Sequence, residues 1–410
     1  MLVKLAWRNL WRNKLRTGIL LSAIVFGLVG VIAMMGFITG MYSNMIQNGI
    51  AWQTSQLQIH HPRYLDDPRL EAVLDQPDPL LKALAQEPRI AARSGRFIAD
   101  GMVASARATR GIQINGVSPA DETAVTPLAE AVIHGQWLDE QGRNPVLVSS
   151  KTAERLKLQI GSKVVLTFTD VDGDVAGAAF RVRGIFKTPA SGFDDGNLFV
   201  RHSDLTALAG LEGIHEIAIR LVEQDHQELE LLDDVRSELQ ALAGDVNQVR
   251  DWRQIQPMLA SILGQIGVSN AIILGIYVTA MAFGIVNILL MSVFERTREF
   301  GVLMAVGMQK HKIFALLLLE SAWLGIVGGG LGLLIASGLI ALLQHTGISL
   351  GAMADGLAAF GVDTLFYPEV SASDYRLVFI TVVIASLFAA LYPARQILKQ
   401  TPVSAMAEKH

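Results

Sequence analysis

Residues 18–41 read GILLSAIVFGLVGVIAMMGFITGM, twenty-four positions without a charged side chain. A helix rising ~1.5 Å per residue over this length covers the ~30 Å hydrocarbon core of a bilayer. The silence extends outward: after Arg16 no Asp, Glu, Lys or Arg occurs before Arg63. A second charge-free stretch runs from Gln254 to Phe294, with its apolar heart from Val268. A third, Ile313 to Leu343, is interrupted only by Glu320, and a fourth spans Leu377 to Leu391. Buried core helices of a soluble protein seldom reach such lengths, so the sequence predicts four membrane spans. The first run is too long for a signal-peptide core, and no small-x-small cleavage site precedes the polar MYSNMIQN, so it is expected to stay uncleaved.

Composition agrees. Of 410 residues 51% are hydrophobic and 18% charged, with mean hydropathy +0.38, which excludes a disordered chain and disfavours a wholly soluble one. The net charge of -4 gives no global basic footprint for nucleic acid. With no cysteine, disulfides, thiolate metal sites and cysteine nucleophiles are ruled out.

Charge distribution sets the expected orientation. Lys4, Arg8, Arg12, Lys14 and Arg16 precede span one; Arg296, Arg298, Lys310 and Lys312 lie between spans two and three; Arg395, Lys399 and Lys409 follow span four. Residues 344–374, between spans three and four, carry Asp355, Asp363, Glu369 and Asp374 and no Lys or Arg. The basic segments therefore fall on one side, the cytoplasm, with both termini there. Residues 42–265 hold 21 Lys and Arg against 30 Asp and Glu, a net of -9, and are expected outside.

That outside stretch mixes elements. Residues 65–90 read as a loop and a short helix (79–86), and residues 96–118 as strands. KVVLTFTD and AFRVRGIF pair about an Asp172-Gly173 turn. QELELLDDVRSELQALAG is an amphipathic helix with Leu229, Leu232, Val235, Leu239 and Leu242 on one face. The fold class expected is a multi-pass α-helical membrane protein, four transmembrane helices with a large α+β domain between the first and second.

Few residues promise chemistry. No P-loop, H-E-x-x-H or G-x-S-x-G occurs, so the chain is not expected to be an enzyme. Asp170, Asp172 and Asp174 imitate the start of a Ca²⁺ loop, but the twelfth position is Arg181, leaving an acidic hairpin tip. His60 and His61 read as a solvated pair beyond span one. Glu320 should face protein or snorkel near the cytoplasmic end, with Arg298 or Arg395 within reach. The start LVKLAWRNLWRNKLRT sets Val3, Ala6, Trp7, Leu10 and Trp11 on one helical face and Lys4, Arg8 and Arg12 on another, as for a helix lying in the membrane interface. FERTREFGVLMAVGMQKHKI (294–313) is a short charged helix whose apolar Val302, Leu303 and Val306 suit docking into a groove of a soluble partner. Gly325-x-x-x-Gly329 and Gly328-x-x-x-Gly332 permit close helix approach.

WRNLWRNKLRT (7–17), GQWLDEQGRNPVLVSSKTAERLKLQIGSKVVLTF (135–168), ERTREFGVLMAVGM (295–308), FALLLLESAWLGIVGGGLGLLIA (314–336) and LYPARQILKQTPVSAM (391–406) together resemble the ABC transporter permeases of the MacB, FtsX and LolC/LolE family. In external domain size the chain is most similar to LolC/LolE, although its hairpin tip TDVDGDVAGA is shorter than the LolC hook. The resemblance implies the following order: 1–16 cytoplasmic interfacial helix; 17–45 first span; 46–265 periplasmic MacB-like domain; 266–294 second span; 295–312 coupling helix; 313–343 third span; 344–374 periplasmic loop; 375–394 fourth span; 395–410 cytoplasmic tail. It implies an inner-membrane location and a separate ATPase dimer binding ATP and Mg, with no cofactor in this chain. It also implies a second permease copy, identical or paralogous, surrounding lipid, and a periplasmic chaperone or adaptor as a further partner. Carried over by position, Glu295, Arg296, Arg298, Glu299, Gly301 and Met304 would couple to the ATPase. Met34, Met35, Phe37 and Met41, with Ile273, Ile276 and Tyr277, are the expected lining of an apolar substrate cavity. Mechanotransmission that extracts a lipoprotein or other lipidated or hydrophobic substrate is the expected function. Two alternatives stay open: an FtsX-like signalling subunit regulating a periplasmic hydrolase, and MacB-like efflux of a peptide or drug.

Overall fold

A backbone crossing hydrocarbon must satisfy every N–H and C=O internally, which leaves uninterrupted helix as the solution for the apolar runs. The computed structural model describes residues 2–222, 228–351 and 354–399. They fall into two units, one drawn from residues 1–41, 264–348 and 366–410, the other from 42–263 and 349–365. Among the described residues four helices are long and apolar enough to cross a membrane: Lys14–Gly49, Pro257–Glu295, Lys310–Thr346 and Ala372–Lys399. Each runs past the apolar stretch that marks it, because helical hydrogen bonding continues where the flanks turn polar.

In the membrane unit, Ile24, Leu28, Ile32 and Met35 of span one meet Leu274, Met281 and Ile285 of span two and Val378 and Val382 of span four. Phe26, Ile276, Phe283, Leu334 and Phe388 point outward and are exposed, as side chains solvated by lipid tails should be. The third span carries two rows of small residues. A Cβ on Gly325 would lie 2.9 Å from Ser386 and one on Gly329 3.1 Å from Phe379, both on span four. Gly328 and Gly332 press in the same way on Ile24 and Leu28 of span one. Interfaces in lipid gain from close backbone approach, so these glycines let one helix pack tightly on two neighbours.

The N-terminal helix is Leu2–Leu10, shorter than the sixteen residues expected. Leu10 is buried with Leu20, Leu21 and Leu324, and Trp7 meets Trp323 edge-on at 4.9 Å. Val3, Trp7 and Trp11 remain exposed, so the apolar face is divided between protein and surroundings.

The second unit is built on a ten-stranded sheet, counted over the described residues. Its strands are β1 (Leu57–His60), β2 (Ile90–Ala104), β3 (Thr109–Val117), β4 (Val132–Gly135), β5 (Pro145–Ser149), β6 (Lys163–Thr169), β7 (Val175–Phe186), β8 (Asn197–Arg201), β9 (Glu216–Leu221) and β10 (Gln248–Asp251). The pairs β2–β3, β3–β8, β8–β5, β5–β7, β7–β6 and β6–β2 close into a ring, which removes free edges from six strands. Alternating residues fill it: Phe97, Val103, Ile114, Val146, Leu166, Phe180 and Leu198 are buried together, capped by Leu156 and Leu205. Fifteen residues long, β2 pairs with β9 through residues 90–96 and with β6 through 101–104. Gly101 stands where it changes partner; a Cβ there would meet the backbone oxygen of Thr167 and, at 2.9 Å, Phe168.

A second core lies beside the ring, where β1, β9 and β10 are covered by helices Pro77–Leu84 and Glu228–Ala243. Leu232, Val235 and Leu239 are buried there. Leu242, expected on the same face, is 51% exposed, and in the last turn it is Ala243, about 100° further round the helix, that is buried in this core; Leu229 lies outside the side chains described, as does Asp355. The β6–β7 hairpin forms as its sequence predicts. Gly173 takes φ +84, and the Asp170 carboxylate accepts the backbone N–H of Asp172 (3.1 Å) and Asp174 (2.8 Å). His60 departs from expectation: it is 1% exposed, its ring stacked on Tyr64 at 5.4 Å and its Nε2 3.4 Å from Glu216.

Candidate functional site

The charged insert between spans two and three forms a helix, Thr297–Ala305, set off from span two by the non-helical Arg296 (φ -100, ψ 7). This break turns Arg296 inward, where it is 8% exposed. Its Nη1 donates to Glu320 Oε2 at 3.2 Å, its Nε to Glu299 Oε2 at 3.2 Å, and the guanidinium lies 5.1 Å over the Phe300 ring. Glu320, 5% exposed, also accepts from the Asn9 amide at 2.8 Å. Neither Arg298 nor Arg395 is its partner, because Arg298 falls on the opposite side of the helix. Buried ions demand such pairing, since isolating either costs several kcal/mol.

At the surface Arg12 donates to Glu299 at 2.5 Å, and Arg16 lies 3.9 Å from Glu295. The hydrogen bond from Arg12 holds the Glu299 carboxyl below the usual range; partial burial opposes it, and Arg296 adds to the lowering. Phe300 is fully buried with Val293, Ile313, Leu317 and Ala394, and Met304 packs partly against this group. Gly301 is buried as well.

Of the six residues named for coupling, Arg296 and Gly301 thus lie inside the unit and Met304 half inside. Glu295, Arg298 and Glu299 are exposed. Arg298 and Val302, one turn apart on the helix, are exposed, as is Val306 at its C-terminal cap, a mixed apolar and cationic surface. Val306 is 82% exposed.

The seven cavity residues divide. Met34, Ile273, Ile276 and Tyr277 line one groove of about 330 Å³ with Gly27 and Val31. A neighbouring cavity of about 270 Å³ continues along Ile24, Tyr277, Met281 and Ile288. Tyr277 donates its hydroxyl to the Ile24 carbonyl at 3.0 Å, which fixes the ring against Gly27. Met35 is 2% exposed in the helix core, and Phe37 turns to Phe366 at 5.2 Å. Met41 lines neither space. Consecutive helical residues are 100° apart, which is why Met34 and Met35 cannot share a face.

Sequence reasoning missed a second buried cluster. Arg96 in β2 pairs with Glu122 at 2.7 Å and Glu216 at 2.6 Å, and donates to the Gln53 carbonyl at 3.3 Å. Burial would raise the Glu216 carboxyl, but Arg96 and then His60 outweigh it and hold it below the usual range. A charged residue inside an otherwise alternating strand was the available signal. Its partners stand 26 and 120 positions away, beyond any local pattern. Among the described residues no group of three or more His, Asp or Glu is placed to hold a metal ion.

Two family models match the chain: the MacB-like periplasmic core domain over residues 17–231 and the FtsX-like permease C-terminal domain over residues 271–402. The pyoverdine export ATP-binding/permease protein PvdT of Pseudomonas entomophila is 25% identical over 98% of this chain and 59% of its own length. The lipoprotein-releasing system transmembrane protein LolC of Xylella fastidiosa is 22% identical over 59% of each. The macrolide export ATP-binding/permease protein MacB of Chlorobaculum tepidum is 29% identical over 44% of this chain and 25% of its own. The chain spans from a quarter to about three fifths of the length of the curated relatives it matches. The periplasmic region of MacB from Actinobacillus actinomycetemcomitans aligns with 52% of this chain and 94% of its own, at 15% identity and a TM-score of 0.37.

Proposed function

Because this chain belongs to the MacB, FtsX and LolC family of ABC transporter permeases, we propose that it passes the work of a separate ATPase pair to its extramembrane domain through helix Thr297–Ala305. In this reading the termini and that helix face the cytoplasm of a bacterial inner membrane, the second unit faces the periplasm, and two permease copies act together. One observation carries the proposal: the helix is held at its first turn by Arg296, Glu299 and Glu320, while Arg298, Val302 and Val306 stay free to meet a partner. A docked element transmits force only if its base does not give, and a buried ion pair resists local opening more than solvated contacts do. The exposed surface suits an amphipathic groove on a soluble protein.

The cargo class follows from the apolar groove of Met34, Ile273, Ile276 and Tyr277, whose chemistry suits acyl chains or another hydrophobic substrate drawn from the membrane. The combined variant Arg298→Glu, Val302→Asp tests the coupling. In proteoliposomes with the ATPase, about tenfold lower ATP-dependent release of acylated cargo is expected, the effect of losing ~1.4 kcal/mol of docking energy, with insertion intact. Unchanged release and unchanged ATPase stimulation would refute the coupling role. Activation of a cell-wall hydrolase without cargo release would replace transport by signalling.

A further inference from the structure

Inside the extramembrane unit lies a cavity of about 240 Å³, bordered on one side by the Arg96–Glu216 pair. Trp52, Phe193 and Phe199 form apolar walls, and Gln58, Gln113 and Asn115 present amides from β1 and β3. Gln58 is 3% exposed and Tyr64, which also lines the space, 6%. Neither the Gln58 amide nor the Tyr64 hydroxyl has a hydrogen-bond partner among the described residues. Both groups face the space itself, so water can satisfy them there, and a ligand that bonds to both can take its place. Burial pushes the Tyr64 hydroxyl far above its ordinary range, leaving it a neutral donor and acceptor.

The charges on the wall constrain that occupant. Arg96 and Glu216 face the cavity already paired with each other, and Arg96 is shared with Glu122. With Arg96 between Glu122 and Glu216 the cluster keeps one negative charge in excess, which disfavours an anion, while a cation would have to approach Arg96 at the wall. Amides supply donors and acceptors in equal measure, and aromatic faces suit the C–H face of a saturated ring. The volume lies just below the roughly 300–1,000 Å³ of sites for drug-sized ligands.

We propose that this cavity binds a neutral polyhydroxylated ring of monosaccharide size. The sugar can arrive free or as the terminal unit of a glycan, and the test separates the two. The full chain in nanodiscs is titrated with glucose, N-acetylglucosamine and the N-acetylglucosamine trisaccharide, with binding read by saturation-transfer NMR and calorimetry. Saturable binding of at least one probe is expected. Binding of the single sugars alone assigns a free ligand; equal or tighter binding of the trisaccharide assigns a glycan end. Gln58→Leu should weaken binding by about tenfold, as loss of one well-made hydrogen bond does, without lowering the melting temperature, because the amide has no protein partner to lose. If that variant misfolds, Gln113→Leu, at a half-buried position, carries the same expectation. No saturable binding of any probe, or affinity indifferent to both substitutions, would leave water as the only occupant and overturn the proposal. The membrane unit plays no part in this test, so its outcome is independent of the coupling reading.

Discussion

Each unit of this protein places one arginine between two glutamates, and the two arrangements differ in how far they are closed. Arg96 and both of its partners, Glu122 and Glu216, are withdrawn from water. Arg296 has one enclosed partner, Glu320, while its other, Glu299, is 45% exposed at the side chain and is shared with Arg12. The closed cluster holds strands and helix of a single domain in register. The open one ties a surface helix to a span and leaves one carboxylate reachable from outside. The same chemistry serves a fixed body in one place and a handle in the other.

Breaking the closed cluster should have the largest effect. Arg96→Met leaves two buried carboxylates without a cation, and unfolding of the extramembrane unit followed by tryptophan fluorescence should show a loss of about 3–5 kcal/mol. A loss below about 1 kcal/mol would mean that water reaches the cluster. Acid should act on the same place. Glu216 is held below its ordinary value, so its contribution is complete above the unfolded glutamate pKa of about 4.3 and fades as pH falls through the lower, folded value. Glu216→Gln should flatten that acid limb of stability.

An intermediate effect is expected from Glu320→Ala, about 2–3 kcal/mol, because Arg296 keeps Glu299 and its own route toward water. Thermal unfolding in nanodiscs measures it, and faster proteolysis between residues 296 and 310 should accompany it; a cost equal to that of Arg96→Met would erase the distinction between the clusters. The smallest effect belongs to Arg12→Ala. Its pair with Glu299 is solvated, so about 0.2–1 kcal/mol is expected, vanishing in high salt. A salt-insensitive loss would show that the open side is more enclosed than its exposure indicates.

The spans were legible because lipid imposes a constraint that a single stretch of sequence must satisfy alone. So was the β6–β7 hairpin, whose Asp172-Gly173 turn is local. The closed ring was not legible, since nothing within Ile90–Ala104 announces that its two halves take different partners. The same reason hid Arg96, whose acids come from distant segments, and the burial of His60. For the helix Thr297–Ala305, sequence marked a charged helical insert but could not assign its inward face. A one-residue interruption at Arg296 rotates everything after it, which exchanges the roles expected of Arg296 and Arg298 toward Glu320. The cavity residues divided for a similar reason, because composition marks a methionine-rich stretch without saying which methionine faces the groove.

The single strand Ile90–Ala104 is hydrogen-bonded into both cores of the outer domain. Neither core can therefore melt, slip register or be excised while the other stays whole, and heat should take them apart in one step, not two.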